Sequence, residues 1–160
     1  MAEIDNTDYR NVRLRDGRLV GDVIHEQRHG LLNTWRTAQD EASRNPSIEP
    51  SYPAGYAAGR AIADFYNTAR SGGPIDFKNQ FQGKTEQEAD RLGRAGNFAY
   101  YAVGDGIVPR GLLDFGAAGY ALWQLATGGK KPSDITLPRL IDKRANAVRD
   151  KALSLPNDPQ

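Results

Sequence analysis

Four breaks constrain what this chain can fold into: Asn45-Pro46, Gly72-Gly73-Pro74, Gly104-Asp105-Gly106 and Gly128-Gly129. The residue before a proline avoids helical angles, and glycine readily closes a helix in a left-handed turn. Between the breaks the apolar residues recur at helical spacing. Val20, Val23, Ile24, Leu31, Leu32 and Trp35 mark a first helix that ends near Asn45. Pro53 opens a second, carrying Tyr56, Ala57, Ile62, Ala63, Phe65 and Tyr66. Thr85-Glu86-Gln87-Glu88 is a capping box, hydroxyl at the cap and carboxylate three residues on, and predicts a helix to about Val103. Pro109 starts a fourth, and Ser133-Asp134 or Pro138 opens a charged fifth helix to about Leu153. Little in the chain reads as strand. The expectation is an all-α, compact single domain of about five helices with Gly-rich connecting loops. Residues 1–18, with a turn at Asp16-Gly17, read as an N-terminal arm or short hairpin, 19–155 as the helical domain and 156–160 as a frayed tail.

Charge is balanced, with 21 basic and 20 acidic residues and a net charge of +1. A dedicated nucleic-acid binder shows a basic excess, so the composition counts against DNA or RNA as partner. The chain has no cysteine, which excludes disulfides, thiol catalysis and thiolate metal sites. Met1-Ala2-Glu3-Ile4-Asp5-Asn6 is acidic and polar rather than a signal peptide. The most apolar stretch, Gly111 to Thr127, is too short and glycine-rich for a membrane span, and no membrane insertion is expected.

His25-Glu26-Gln27-Arg28-His29 matches the HExxH string of zinc peptidases, in which two histidines four apart bind zinc and the glutamate activates its water. Three features oppose zinc. Arg28 puts a charge at a middle position, no third histidine exists, so Asp40, Glu41 or a later residue would have to serve, and no sheet is predicted behind the helix. The competing reading is a solvated, charged helix turn. Glu26, flanked by His25 and Arg28, would serve as a general acid or base if burial raises its pKa; the competing reading, which these residues alone favour, is an ordinary helix salt bridge.

Two further segments place polar groups beside glycine, the usual dress of a functional loop. In Gly72-Gly73-Pro74-Ile75-Asp76-Phe77-Lys78, an extended backbone would turn Asp76 and Lys78 one way while Ile75 and Phe77 pin the loop to the core. The pair would act as base and electrophile, or brace the loop as an ion pair. In Gly96-Asn97-Phe98-Ala99-Tyr100-Tyr101-Ala102-Val103-Gly104, Asn97 and Tyr101 are four apart on one helix face. With Tyr100 they would line a polar, sugar-binding cleft, with His25 also at the substrate; the alternative is a set of core aromatics with hydroxyls at the surface. Leu112, Leu113, Phe115, Tyr120, Leu122, Trp123 and Leu125 read as core.

In order, these segments resemble the polymorphic toxin type 44 family of bacterial secreted toxin domains. The resemblance rests on the Gly72–Lys78 loop, on Gly96, Asn97, Phe98, Tyr100, Ala102 and Gly104, and on Pro109, Leu112-Leu113 and Ala118-Gly119, across about residues 19–125. Glu26 falls where the family's first helix carries its glutamate. The chain departs from the pattern at Ile75, Ala99 and Tyr101, and the family's Asp-rich C-terminal segment is not recognisable, although Asp142 and Asp150 lie there. The resemblance implies a toxin aimed at competing bacteria, delivered by a secretion-system carrier and neutralised by a cognate immunity protein.

These readings lead to a muramidase-like hydrolase acting on peptidoglycan glycan strands in the periplasm of the target cell, with Glu26 as general acid, Asp76 as second carboxylate and Lys78 orienting it. Two carboxyl groups are the usual equipment of glycoside hydrolysis. No cofactor is required. The alternatives are an RNase toxin, needing a basic stripe from Arg91, Arg94 and Arg110; a zinc peptidase on His25, Glu26 and His29; and a non-enzymatic helical adaptor.

Overall fold

The computed structural model describes residues 6–45, 47, 53–70, 72–77, 85–114, 116 and 143–154. Among the described residues a 3-10 turn, Tyr9–Asn11, precedes the α-helices α1 (Val20–Arg44), α2 (Pro53–Ala69), α3 (Glu86–Gly104) and α4 (Lys143–Ser154). Residues 110–114 are helical as well. Among the described residues there is no strand, only an isolated antiparallel bridge between Arg13 and Leu19. The all-α, single-domain expectation holds. The glycine break at 128–129 and the predicted start of the last helix lie outside the described residues.

The helix boundaries follow from the residues that set them. Asn45 leaves α1 in an extended conformation ahead of Pro46, its N–H reaching Glu41 O. The capping box of α3 is complete: Glu88 N–H donates to Thr85 Oγ1 at 3.3 Å and Thr85 N–H donates to Glu88 Oε2 at 3.2 Å. At the other end Gly104 is a packing requirement, because a Cβ there would lie 2.5 Å from Leu113 Cδ2 and 3.1 Å from the Phe65 ring. Gly106 then turns the chain with φ +74°.

α1 buries Val20, Val23, Ile24, Leu31, Ala38 and Ala42 along one face. It packs chiefly on α2, where Thr34 Oγ1 donates to Asp64 Oδ2 at 2.8 Å. α3 supplies the centre of the core through Phe98, Ala99 and Val103, and α4 lies against α3 through Val148 and Ala152.

The N-terminal segment is not an appendage. Tyr9, Val12 and Leu14 are 1–4 % exposed. The Tyr9 ring stacks on Phe98 at 5.3 Å, and Lys151 Nζ sits 5.5 Å above the same ring while donating to Thr7 O. The expected hairpin forms, with Leu14 N–H to Arg18 O at 2.8 Å and Gly17 at φ +89°, and Val20 N–H bonds Val12 O at 2.9 Å. Burying an aromatic ring of this size is worth about 2–3 kcal/mol, so the domain's core begins at Tyr9 rather than at Leu19.

Candidate functional site

The HExxH turn lies on the side of α1 that faces away from its buried stripe. His25, Glu26 and His29 are all exposed, and the Glu26 side chain keeps 68 % of its surface, with Arg18 Nη1 at 3.6 Å. The burial that would make Glu26 a poised acid is therefore not present. Among the described residues, no group of three or more His, Asp or Glu side chains is arranged to hold a metal ion. Arg28 of this string reaches another element. Its Nη1 lies 2.9 Å from Ala102 O, 3.3 Å from Val103 O and 2.6 Å from Asp105 O, at the C-terminal end of α3. Those carbonyls have no partner within their own helix, and a cation there also meets the negative end of the helix dipole. The charged middle position that argues against zinc in the sequence is thus a cap for a neighbouring helix.

The Gly-Gly-Pro loop has a similar task at α2. Gly73 N–H bonds Arg70 O at 2.8 Å, and Ile75 N–H approaches Thr68 O at 3.5 Å. A Cβ on Gly73 would fall 2.3 Å from Thr68 O, so only glycine sits there undisturbed. Asp76 Oδ2 accepts from Gly72 N–H at 2.9 Å, and Gly72 itself has φ +77°. Ile75 and Phe77 are buried as expected, each 3 % exposed, but through turns rather than an extended strand, with Asp76 N–H bonded to Gly73 O. Lys78 lies outside the described residues. Gly96 of α3 faces this loop, its added Cβ falling 3.7 Å from Ile75 O and 3.8 Å from Phe77 Cδ2. The two glycine-rich motifs therefore meet in space, across a packing contact.

Asn97 and Tyr101 lie one turn apart but differ in burial: Asn97 is exposed and Tyr101 is 4 % exposed. The reason is register. Tyr101 falls on the stripe of Phe98, Ala102 and Val103 that packs inward, and Asn97 on its margin. Tyr100 packs on Phe65 at 5.3 Å and donates to Leu113 O at 2.8 Å. Tyr101 OH donates to Asp114 Oδ1 at 3.2 Å. Burial first, and then the Asp114 carboxylate, push both phenols well above the usual tyrosine range.

Asp114 is the centre of a polar junction between three elements. Arg149 of α4 binds it with both prongs, Nε to Oδ1 at 2.7 Å and Nη2 to Oδ2 at 3.0 Å. Arg149 Nη1 also reaches Asp150 Oδ1 at 3.0 Å, and its guanidinium lies 5.7 Å from the Tyr101 ring. The Arg149 side chain is only 8 % exposed, against 21 % for Asp114 and 70 % for Asp150. Three elements thus contribute an ionised pair, a second carboxylate and a phenol. The available signal was a charge, Asp114, inside an apolar run, together with an Arg-Asp pair in the last helix.

Two of the arginines named for a basic stripe have acidic partners. Arg94 pairs with Asp90 one turn away, Arg110 lies 3.5 Å from Asp105, and Arg91 is exposed. Among the described residues no helix is long and apolar enough to cross a membrane. Comparison with family models, curated proteins and solved structures gave no match to this chain.

Proposed function

We propose that this chain is an antibacterial toxin domain that hydrolyses the glycan strands of the cell wall in the periplasm of the target bacterium, carried there by a secretion system and countered by an immunity protein. The observation that carries the reading is the convergence of Tyr101, Asp114 and Arg149 from three separate elements, with Asp150 on the solvent side of the same guanidinium. Two carboxyl groups in differing environments are what glycoside hydrolysis uses, one enclosed and one open to water. Asp114 takes the enclosed position, as the ionised partner of Arg149 rather than as the general acid expected of Glu26. Asp76, occupied with the Gly72 amide, serves the loop. The near-neutral charge suits a glycan better than a polyphosphate. The resemblance of the motif order to that of type 44 toxin domains suggests the biological setting.

A second reading is a helical adaptor without catalysis. It is favoured by how the conspicuous polar groups are used: Asp76, Tyr100 and Arg28 all bond to backbone atoms of their own protein.

The test is expression in a bacterial host, in the cytoplasm and separately with a periplasmic signal, alongside Asp114→Asn, Glu26→Gln and Asp76→Asn. Lysis confined to the periplasmic form, with release of muropeptides and loss in Asp114→Asn, is the expected result. Killing from the cytoplasm with degraded RNA would overturn it in favour of a nuclease. Toxicity that survives all three substitutions would favour the adaptor.

A further inference from the structure

We infer that the hollow between the end of α3 and the helical residues that follow is a site for a secondary carboxamide, the N-acetyl group of a hexosamine, with Asp105 accepting its N–H and Arg110 donating to its carbonyl oxygen. The inference rests on the hydrolase reading for its ligand, though not for its geometry. A cavity of about 360 Å³ is lined by Asp105, Gly106, Ile107, Val108, Pro109 and Arg110. That volume is at the small end of ligand sites. The cavity holds opposite charges that do not close on each other. The Asp105 side chain is 11 % exposed and that of Arg110 61 %. Among the described residues, the carboxylate meets Arg110 Nη2 at 3.5 Å. A direct bond between a guanidinium and a carboxylate is about 2.7–2.9 Å. A carboxylate held off its cation in this way keeps acceptor capacity for a donor that enters the cavity. The guanidinium likewise keeps N–H groups for an acceptor.

A secondary amide donates and accepts at adjacent atoms, and so satisfies both groups without bringing a charge into the cavity. A free ammonium would satisfy Asp105 but meet Arg110 as a like charge, and a carboxylate would do the reverse. Ile107, Val108 and Pro109 supply an apolar wall for the methyl beside the amide. Asp105 is fixed in place before any ligand arrives. Its N–H bonds Tyr101 O at 2.9 Å, its carbonyl accepts from Arg28 Nη1 at 2.6 Å, and Gly106 turns the chain behind it. Groups already ordered lose little freedom on binding. The place also suits the hydrolase reading. Tyr101 and Asp105 are four apart at the end of α3, as are Arg110 and Asp114 in the helical residues that follow. Tyr101 meets Asp114 and Asp105 meets Arg110, so the two contacts are rungs one turn apart across the same corner. A sugar held by its N-acetyl group at one rung comes within a helical turn of Asp114 at the next.

NMR titration of the isotope-labelled full chain tests this, with an N-acetylglucosamine tetramer and with the same tetramer stripped of its acetyl groups. Wild type, Asp105→Ala and Arg110→Met are compared, and periplasmic lysis is measured beside them. The acetylated tetramer should shift the amide signals of Gly106, Ile107 and Val108. Loss of either charged partner, or of the acetyl groups, should weaken binding by about tenfold or more. Arg110 is mostly exposed, so Arg110→Met keeps the test open if Asp105→Ala fails to fold. Equal affinity for the two tetramers, tighter binding of the stripped one, shifts confined to other elements, or no binding by the wild type would each overturn the inference. Lysis that persists beside any of these sinks the carboxamide site alone. Acetyl-dependent binding by a protein that lyses nothing supports the site and sinks the hydrolase reading instead.

Discussion

Replacing Arg28 with methionine should destabilise the protein far more than replacing either neighbouring histidine with alanine. One nitrogen, Nη1, faces three carbonyl oxygens of the α3 terminus, at 2.9, 3.3 and 2.6 Å. It carries two hydrogens, so at most two of these are full hydrogen bonds. A hydrogen bond from a charged donor contributes about 1.5–3 kcal/mol, and a cation at a helix C-terminus about 0.3–1 kcal/mol. Water can reach part of this half-buried site and re-solvate the carbonyls, which brings the expected loss to roughly 2 kcal/mol. For a domain of this size that is a fall in Tm of about 4–8 °C. Methionine keeps most of the aliphatic stem, so the loss reports on the guanidinium rather than on packing. His25→Ala and His29→Ala change exposed positions and should stay within about 0.5 kcal/mol. Urea denaturation at neutral pH in the presence of a chelator measures all three. If Arg28→Met costs no more than the histidine variants, the guanidinium is not capping α3 and the assignment of this helix turn fails. If the histidine variants are the costly ones, the exposed face of α1 is holding something together.

Gly73→Ala places a methyl against Thr68 O and should cost about 2–3 kcal/mol, whereas Gly59→Ala, with open space at its Cβ, should be neutral or stabilise by up to about 1 kcal/mol; paired urea midpoints separate the two. Thr85→Ala should cost about 1 kcal/mol by removing half of the capping box, and Thr85→Ser should restore most of it in the same titration. Tyr100 and Tyr101 have folded-state pKa values raised above the unfolded value near 10. The stability they confer is complete below that pH and is lost as pH rises beyond it, because the unfolded chain then releases protons that the fold retains. Each tyrosine should contribute a slope of up to about 1.4 kcal/mol per pH unit above pH 10, and thermal melts of Tyr100→Phe and Tyr101→Phe between pH 9 and 11 should each lose one such increment.

The helices were legible because their signals are local. Periodicity, the Thr85–Glu88 box and the prolines act within a turn or two of where they are read. What the sequence concealed depends on contacts between distant segments. Tyr9, Val12 and Leu14 are spaced among arginines and aspartates, so their stretch reads as a polar arm until Phe98 and Lys151 are seen to close over it. Asn97 and Tyr101 are neighbours on a helix wheel, yet a buried stripe has an edge, and that edge falls between them. Asp114 read as an interruption in an apolar run because its partners, Tyr101 and Arg149, lie 13 and 35 residues away.

An all-α chain has many unsatisfied backbone groups at its helix ends, and the residue types that satisfy them are those that also suggest active sites: glycine beside aspartate, hydroxyl before glutamate, a lone arginine. Partner type separates the two uses. Arg28 ends on carbonyls of α3, Gly73 lies against carbonyls of α2, Asp76 accepts a loop amide, and Thr85 and Glu88 exchange bonds with each other's backbone. Each bond completes a helix end or a turn beside one, and catalysis is not needed to explain any of them. Tyr101, Asp114 and Arg149 instead bond side chain to side chain across three elements, where no helix end requires it. Sequestering a guanidinium and a carboxylate costs desolvation that an apolar pair would avoid. Packing alone therefore gives no reason to place a charge pair there. That leaves specificity of assembly or chemistry at Asp114 as what the pair is for, and replacing both residues together distinguishes them. Asp114→Leu with Arg149→Met should keep or raise Tm while abolishing lysis if the pair exists for its chemistry.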